Sequence, residues 1–159
     1  MYYTRFETVL CPIVLIGDEE GIIRLHMDVG DEYRQLVMAD GCTENDVLFE
    51  EAKKQILDYI DGSRQNFDLK LNPKGTAFQK NVWRALQDIP YGKTCTYKDI
   101  AAAVGNDKAS RAVGMANNKN PIPLIIPCHR VVGSNGKLTG FAFGLDIKQA
   151  IIDLEQKNR

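Results

Sequence analysis

The sequence predicts an α/β domain followed by a mainly α-helical domain that contains a helix-turn-helix. Three observations carry this. The first 60 residues open on apolar runs broken by a turn and close on a helical pattern. The second half is a series of capped amphipathic helices. Charge divides along the same line. Residues 1–63 hold five Lys/Arg against fourteen Asp/Glu, a balance of −9, and residues 64–140 hold twelve against four, a balance of +8.

In the N-terminal part, Ile13–Ile16 and Ile22–Leu25 flank Gly17-Asp18-Glu19-Glu20-Gly21. Two apolar runs across such a turn predict a hairpin. From Asp46 to Ile60 the residues Val47, Ala52, Ile56, Tyr59 and Ile60 recur at helical spacing. Glu50 and Lys54 are placed for an i,i+4 pair, and Gly62 is the stop. Residues 62–75, rich in Gly, Ser, Asn and Pro, read as the connection, which divides the chain into 1–70 and 71–159.

In the second part, Thr76–Gln79 and Thr96–Asp99 each have the capping-box pattern. The first opens a helix with Phe78, Val82, Leu86 and Ile89 on one face and Trp83 beside it. The second opens a short helix over 99–104 that Gly105 closes. Asn106-Asp107 is placed to cap a third helix reaching Asn117, with Ala109, Ala112, Val113 and Ala116 on one face. Two helices joined by a short Gly-containing turn give helix-turn-helix geometry. A face of small residues permits close approach to another backbone, and packing against the core would explain it equally. With the +8 balance and Arg111 near the helix start, nucleic acid is the expected partner. A final helix carries Ile147, Ala150, Ile151 and Leu154 as its apolar stripe.

Composition excludes several classes. No apolar run approaches twenty residues and no signal-like N-terminus is present, so a cytoplasmic protein without membrane contact is expected. The four cysteines form no CxxC pair and there are two histidines, so no metal site is expected. No sequence feature calls for a cofactor.

The stretch 121-PIPLIIPCHRVVG-133 sets Cys128 beside His129 and Arg130 inside an aliphatic run. A thiol attacks only as thiolate, so a nucleophilic cysteine needs a base or positive charge nearby. A buried cysteine in a core strand is the competing reading, because neighbours on an extended segment point to opposite faces.

The run Pro127-Cys128-His129-Arg130-Val131-Val132-Gly133 resembles the active-site signature of the O6-alkylguanine-DNA alkyltransferases, the methylated-DNA–protein-cysteine methyltransferases. Further similarity lies in Arg111-Ala112-Val113-Gly114 through Asn120-Pro121 and Pro123, in Thr96-Tyr97 through Gly105, in Phe78–Tyr91 and in Gly140–Glu155. It covers roughly residues 75–155. The resemblance implies a ribonuclease-H-like N-terminal domain and a monomer acting on double-stranded DNA. It implies irreversible, stoichiometric transfer of the alkyl group of O6-alkylguanine, and of O4-alkylthymine, to Cys128. His129 would act as the base through a water, oriented by Glu155. Tyr97 would donate to ring N3, and Asn120 would brace the active-site turn. Arg111 would replace the flipped nucleotide in the stack, with Ala109, Ala112, Gly114 and Ala116 against the minor groove. Pro123, Val131, Phe141, Ala142 and Phe143 would line the base pocket, and the carbonyls of Cys128 and Val131 would accept from the exocyclic amine.

The sequence departs from the family at Phe141-Ala142-Phe143-Gly144, where Tyr-x-Gly-Gly is common. Phe141 lacks a hydroxyl, Ala142 leaves only backbone donors for O6, and Phe143 narrows the pocket. Relatives that bind the lesion without removing it usually carry tryptophan in place of the cysteine. Cys128 in that place favours transfer, and a lesion-flagging protein is the alternative, with a regulator or a cysteine hydrolase behind it.

Overall fold

The computed structural model describes all residues, Met1–Arg159, as two compact units, Met1–Lys74 and Gly75–Arg159. No helix is long and apolar enough to cross a membrane.

The first unit is built on a four-stranded sheet. Its strands are β1 (Tyr2–Phe6), β2 (Ile13–Asp18), β3 (Gly21–Met27) and the short β4 (Thr43–Glu44), in the order β3-β2-β1-β4. β2 runs antiparallel to both neighbours, while β4 joins β1 in parallel. The expected hairpin is β2–β3. It closes so tightly that a Cβ on Gly17 would strike the carbonyl oxygen of Gly21. Ile13–Ile16 are almost wholly buried, so both faces of the sheet are covered. Helix α1 (Tyr33–Ala39) supplies Val37 to Val14 and Ile16 on one face. Helix α2 (Glu50–Ile60) carries the buried stripe Ala52, Ile56, Tyr59 and Ile60.

Three features of this unit differ from the sequence reading. Helix α2 begins at Glu50, because Asn45 Oδ1 takes Leu48 N–H in a turn that leaves Val47 75% exposed. Lys54 pairs with Asp58, at 3.4 Å, and not with Glu50. The supposed connection is partly sheet: Ile22 N–H donates to Lys70 O at 2.9 Å and Asn72 N–H to Ile22 O at 2.7 Å. Those bonds tie residues 70–72 to β3 and put the division of the chain after Lys74.

The second unit contains α3 (Ala77–Gln87), β5 (Cys95–Thr96), α4 (Tyr97–Ala103), α5 (Ser110–Asn118), a 3₁₀ turn at Cys128–Arg130, β6 (Val131–Val132) and α6 (Leu145–Asn158). Thr76 and Thr96 both close full capping boxes, with Gln79 and Asp99. Helix α3 buries Val82, Trp83 and Leu86, and Trp83 Nε1–H donates to Ala116 O of α5 at 2.8 Å. β5 and β6 pair in parallel, bringing Cys95 opposite Val131 just beyond the 3₁₀ turn.

Helix α5 corrects the sequence reading at two positions. Its N-cap is Ala109 and not Asn106, whose side chain instead takes the Lys108 N–H. Val113 and Ala116 face the core, Ala116 at 2% exposure, so Ala116 does not belong to the outer face. That face is Arg111, Ala112 and Met115, all exposed. Helix α6 also differs. Ala150 is exposed, and the buried stripe is Lys148, Ile151, Ile152 and Glu155, with a charged residue at each end.

Candidate active site

Cys128 does not lie on a strand. Ile122–Ile126 fold into a compact buried turn closed by Ile126 N–H to Ile122 O at 2.9 Å. Asn120 braces it, its amide donating to Ile126 O at 2.8 Å and accepting from Ile122 N–H at 3.0 Å. Leu124 has φ of 74°, a conformation costly for a side chain bearing Cβ and sustained here by the surrounding core. The turn delivers the chain into the 3₁₀ turn, where Cys128, His129 and Arg130 are all buried. The opposite-face argument for adjacent residues therefore does not apply.

Glu155 of α6 organises this turn. His129 Nε2 lies 2.8 Å from Glu155 Oε2. Arg130 donates to both carboxylate oxygens, Nε to Oε1 at 2.9 Å and an Nη to Oε2 at 2.8 Å. Gly92 N–H adds a contact at 3.3 Å, and Arg130 also donates to Ile89 O at 2.7 Å. This is a bidentate Arg–carboxylate pair almost out of contact with water. The carboxylate offers His129 only acceptor oxygens, so Nε2 carries the ring proton and Nδ1 presents its lone pair. Burial holds the imidazole below its ordinary pKa, so it is neutral near pH 7 and competent as a base.

Burial is also the main influence on Cys128, pushing its thiol up from 9.0 to about 11. The Asn120 side chain, the positive charge of Lys148 and N–H groups of the turn pull the other way. At rest the group is therefore a thiol, and its proton must leave as it reacts. Lys148 is fully buried, and its ammonium donates to Val131 O at 2.7 Å and Thr139 O at 2.6 Å. Its own pKa is lowered by burial.

Beside Cys128 is a small cavity of about 10 Å³, lined by Asn117, Asn118, Asn120, Pro123, Gly140, Phe141, Ala142 and Phe143. Phe141 and Phe143 meet edge to face, centroids 6.0 Å apart. Tyr97 is not in this cavity. Its hydroxyl lies 2.9 Å from Thr139 Oγ1, and the residue lines a separate groove of about 480 Å³ with Arg111, Gly114, Lys98 and Ser134. Val131 is not a lining residue either. It is fully buried in β6, and its carbonyl already receives Lys148. Ala109 caps α5 away from both cavities, while Arg111 and Ala112 stand on its exposed face.

Asn117 and Lys148 do not stand out in the sequence, and Arg130 stands out there only as a cationic neighbour of Cys128, not as the partner of Glu155. Lys148 carried a usable signal: it sits seven residues before Glu155, in line with Ile151 and Ile152, where an exposed charge would be out of register. No three His, Cys, Asp or Glu side chains come together as a metal site.

Residues 77–157 match the model for the 6-O-methylguanine DNA methyltransferase DNA-binding domain, and residues 1–73 match the ribonuclease-like domain of the same family. The chain is 53% identical over 155 residues to the methylated-DNA–protein-cysteine methyltransferase of Methanosarcina acetivorans, covering 98% of each. A crystal structure of the Mycobacterium tuberculosis O6-methylguanine methyltransferase superposes with a TM-score of 0.89 at 38% identity, covering 99% of this chain and 94% of that one. A crystal structure of M. tuberculosis OGT in complex with DNA gives 0.88 at 37% identity, with the same coverage. The chain therefore belongs to the 6-O-methylguanine DNA methyltransferase family, whose ribonuclease-like and DNA-binding domains it carries in that order.

Proposed function

We propose that this protein repairs DNA by moving the alkyl group of O6-alkylguanine, and of O4-alkylthymine, onto Cys128, once per molecule. The observation that carries the reading is the pairing of Cys128, beside a cavity, with a neighbouring histidine fixed by Glu155 at 2.8 Å. Family membership and the similarity to a relative crystallised with DNA support it.

Helix α5 enters the minor groove with Arg111, Ala112 and Gly114. A purine cannot react inside the stack, so the damaged nucleotide is turned out and the planar Arg111 guanidinium fills its place. The cavity beside Cys128 has room for about one water and none for a purine. Base entry therefore requires the segment from Thr139 to Gly144 to move aside. Gly140 and Gly144, with φ of 57° and 103°, flank its aromatic pair, and without side chains they let the backbone change direction there. Tyr97 leaves Thr139 in the same step and turns its hydroxyl to the base.

The Cys128 sulfur then displaces O6 from the alkyl carbon. A C–S bond forms, the C–O bond breaks, and the electron pair departs into the guanine ring. The thiol proton passes through a water to His129 Nδ1, and Tyr97 donates a proton to N3 of the leaving base. Glu155 keeps the imidazole in the accepting tautomer, as the carboxylate does in other triads. The thioether is stable to ordinary thiol exchange, so the protein is consumed. Every residue of this scheme lies in one chain, and it acts as a monomer in the cytoplasm. A protein that only flags lesions has no use for a nucleophile at position 128.

The test is nucleoside analysis of an O6-methylguanine duplex after incubation with the protein. Guanine should appear in amounts equal to the protein added and then stop. Turnover beyond one equivalent, or binding with the lesion intact, would reject the reading.

A further inference from the structure

Two buried side-chain atoms in the Cys128 neighbourhood have no hydrogen-bond partner in the protein: Asn117 Oδ1 and His129 Nδ1. Asn117 is 2% exposed and His129 is fully buried. Buried acceptors without partners are rare, and such an atom calls for an explanation. The orientation of each is fixed by its other half. Asn117 Nδ2 donates to Cys128 O at 3.4 Å, and reversing the amide would set oxygen against oxygen. His129 Nε2–H faces Glu155, which leaves Nδ1 as acceptor.

Two acceptors cannot satisfy each other. Each needs a donor, and a single water can give one hydrogen to each. Asn117 is held to Cys128 O and His129 follows Cys128 in the chain, so both orphaned atoms belong to residues at the thiol; Asn117 and Cys128, though not His129, line a cavity whose 10 Å³ is about the size one water needs.

We propose that Asn117 is a positioning residue for the proton relay: its amide oxygen and His129 Nδ1 together hold one water, whose remaining lone pairs accept the Cys128 S–H. This rests on the alkyl-transfer reading. The water donates one hydrogen to each acceptor. As the C–S bond forms, the thiol proton passes to the water and the water's proton passes to Nδ1, so the water is regenerated and the imidazolium faces Glu155. Without Asn117 the water would keep one anchor and lose its fixed direction. The charged groups facing this site are Glu155 and Lys148 from α6 and Arg130 from the 3₁₀ turn, with the Asn120 amide acting on the thiol. None of them donates to Asn117 Oδ1 or to His129 Nδ1.

The test compares the unsubstituted protein with Asn117→Leu, which fills the space without polar atoms, and Asn117→Ser, which keeps a hydroxyl acceptor. Two readouts are taken across pH 6–9: single-turnover transfer from an O6-methylguanine duplex, and iodoacetamide labelling of Cys128, without DNA, read from its peptide mass. Loss of one oriented hydrogen bond predicts that Asn117→Leu slows transfer about tenfold at pH 7 and that the deficit shrinks as pH rises. Asn117→Ser should stay within about threefold, with the wild-type profile. An unchanged rate in Asn117→Leu, or an equal loss at every pH, would overturn the proposal, the latter showing a purely structural role. Should Asn117→Leu fail to fold, a crystal structure of the unsubstituted protein decides: a water within about 3.2 Å of both Asn117 Oδ1 and His129 Nδ1 supports the relay, and its absence refutes it. Failure of the alkyl-transfer reading is seen separately, as no methyl transfer by the wild type at any pH. The iodoacetamide profiles then still report on the relay.

Discussion

Removing Glu155 should unfold the helical unit more readily than almost any other single change in it. Glu155→Ala strips Arg130 of both carboxylate contacts and leaves it one hydrogen bond, to Ile89 O. The guanidinium stays in a site only 9% exposed, and His129 Nε2–H and Gly92 N–H lose their acceptor. Breaking a buried pair from one side costs about 3–5 kcal/mol, chiefly from the charge left behind. Against a total stability of about 5–15 kcal/mol that is a large share. With a urea slope of about 2 kcal/mol/M the midpoint should fall by about 1.5–2.5 M. The assay has a local reporter: Trp83 is the only tryptophan, is 2% exposed and sits in this unit. If the stranded charge is the cause, Arg130→Met in the Glu155→Leu background should be about 2 kcal/mol more stable than Glu155→Ala, because the uncompensated ion is gone. It should remain inactive, because His129 still lacks its orienting partner. A midpoint for Glu155→Ala within 0.5 M of wild type, or a double variant no more stable than the single, would refute the reasoning.

Phe143→Gly removes one wall of the cavity beside Cys128 and should speed reaction with O6-benzylguanine, while methyl transfer changes little; unchanged benzyl reactivity would show that Phe143 does not limit the pocket. Arg111→Ala should slow repair of the duplex by about 10–100-fold, the loss of a group that stabilises the vacated stack, and leave reaction with the free base O6-methylguanine untouched; equal loss on both would remove Arg111 from the flipping step. Stability should decline at both ends of the pH range. Burial pushes the thiols of Cys128 and Cys95 in this unit from 9.0 up to about 11, so the folded state holds their protons longer; their contribution is complete below pH 9 and is lost as pH rises toward 11. His129 is held below 6.5 in the fold, so the unfolded chain takes up a proton first and stability falls as pH drops below 6.5. Trp83-monitored urea midpoints at pH 5, 7 and 10 check both limbs, and a midpoint rising from pH 7 to pH 10 would contradict the assignment of Cys128 as a buried neutral thiol.

Much of this was legible in the sequence because it is local. Capping boxes at Thr76 and Thr96 need only residues three apart, and the hairpin around Gly17–Gly21 needs only a turn between apolar runs. The signature around Cys128 and the charge division pointed to the same half of the chain. What could not be read depends on long-range placement. Whether Ala116 faces DNA or core is decided by Trp83, 33 positions away, which donates to its carbonyl. Residues 70–72 look like a linker until Ile22 is seen to take their hydrogen bonds. Lys148 looks like a surface lysine in a helix, and only the carbonyls of Val131 and Thr139 make a fully buried ammonium tolerable. Asn117 looks like a helix C-terminus, and its orphaned oxygen is visible only once Cys128 O is found against its amide. Tyr97 belongs with Cys128 by motif but with Thr139 by geometry, because the segment ahead of α6 is closed over the thiol.

The central claim is that Cys128 itself receives the alkyl group. Its most direct test is the intact mass of the protein, and then of its Cys128 peptide, after mixing with duplex DNA carrying O6-methylguanine, alongside Cys128→Ser. Transfer to Cys128 predicts a gain of one methyl on that residue, saturating at one per protein and absent in Cys128→Ser. A lesion that disappears while the mass of the protein stays unchanged, or a methyl found on another residue, would contradict it.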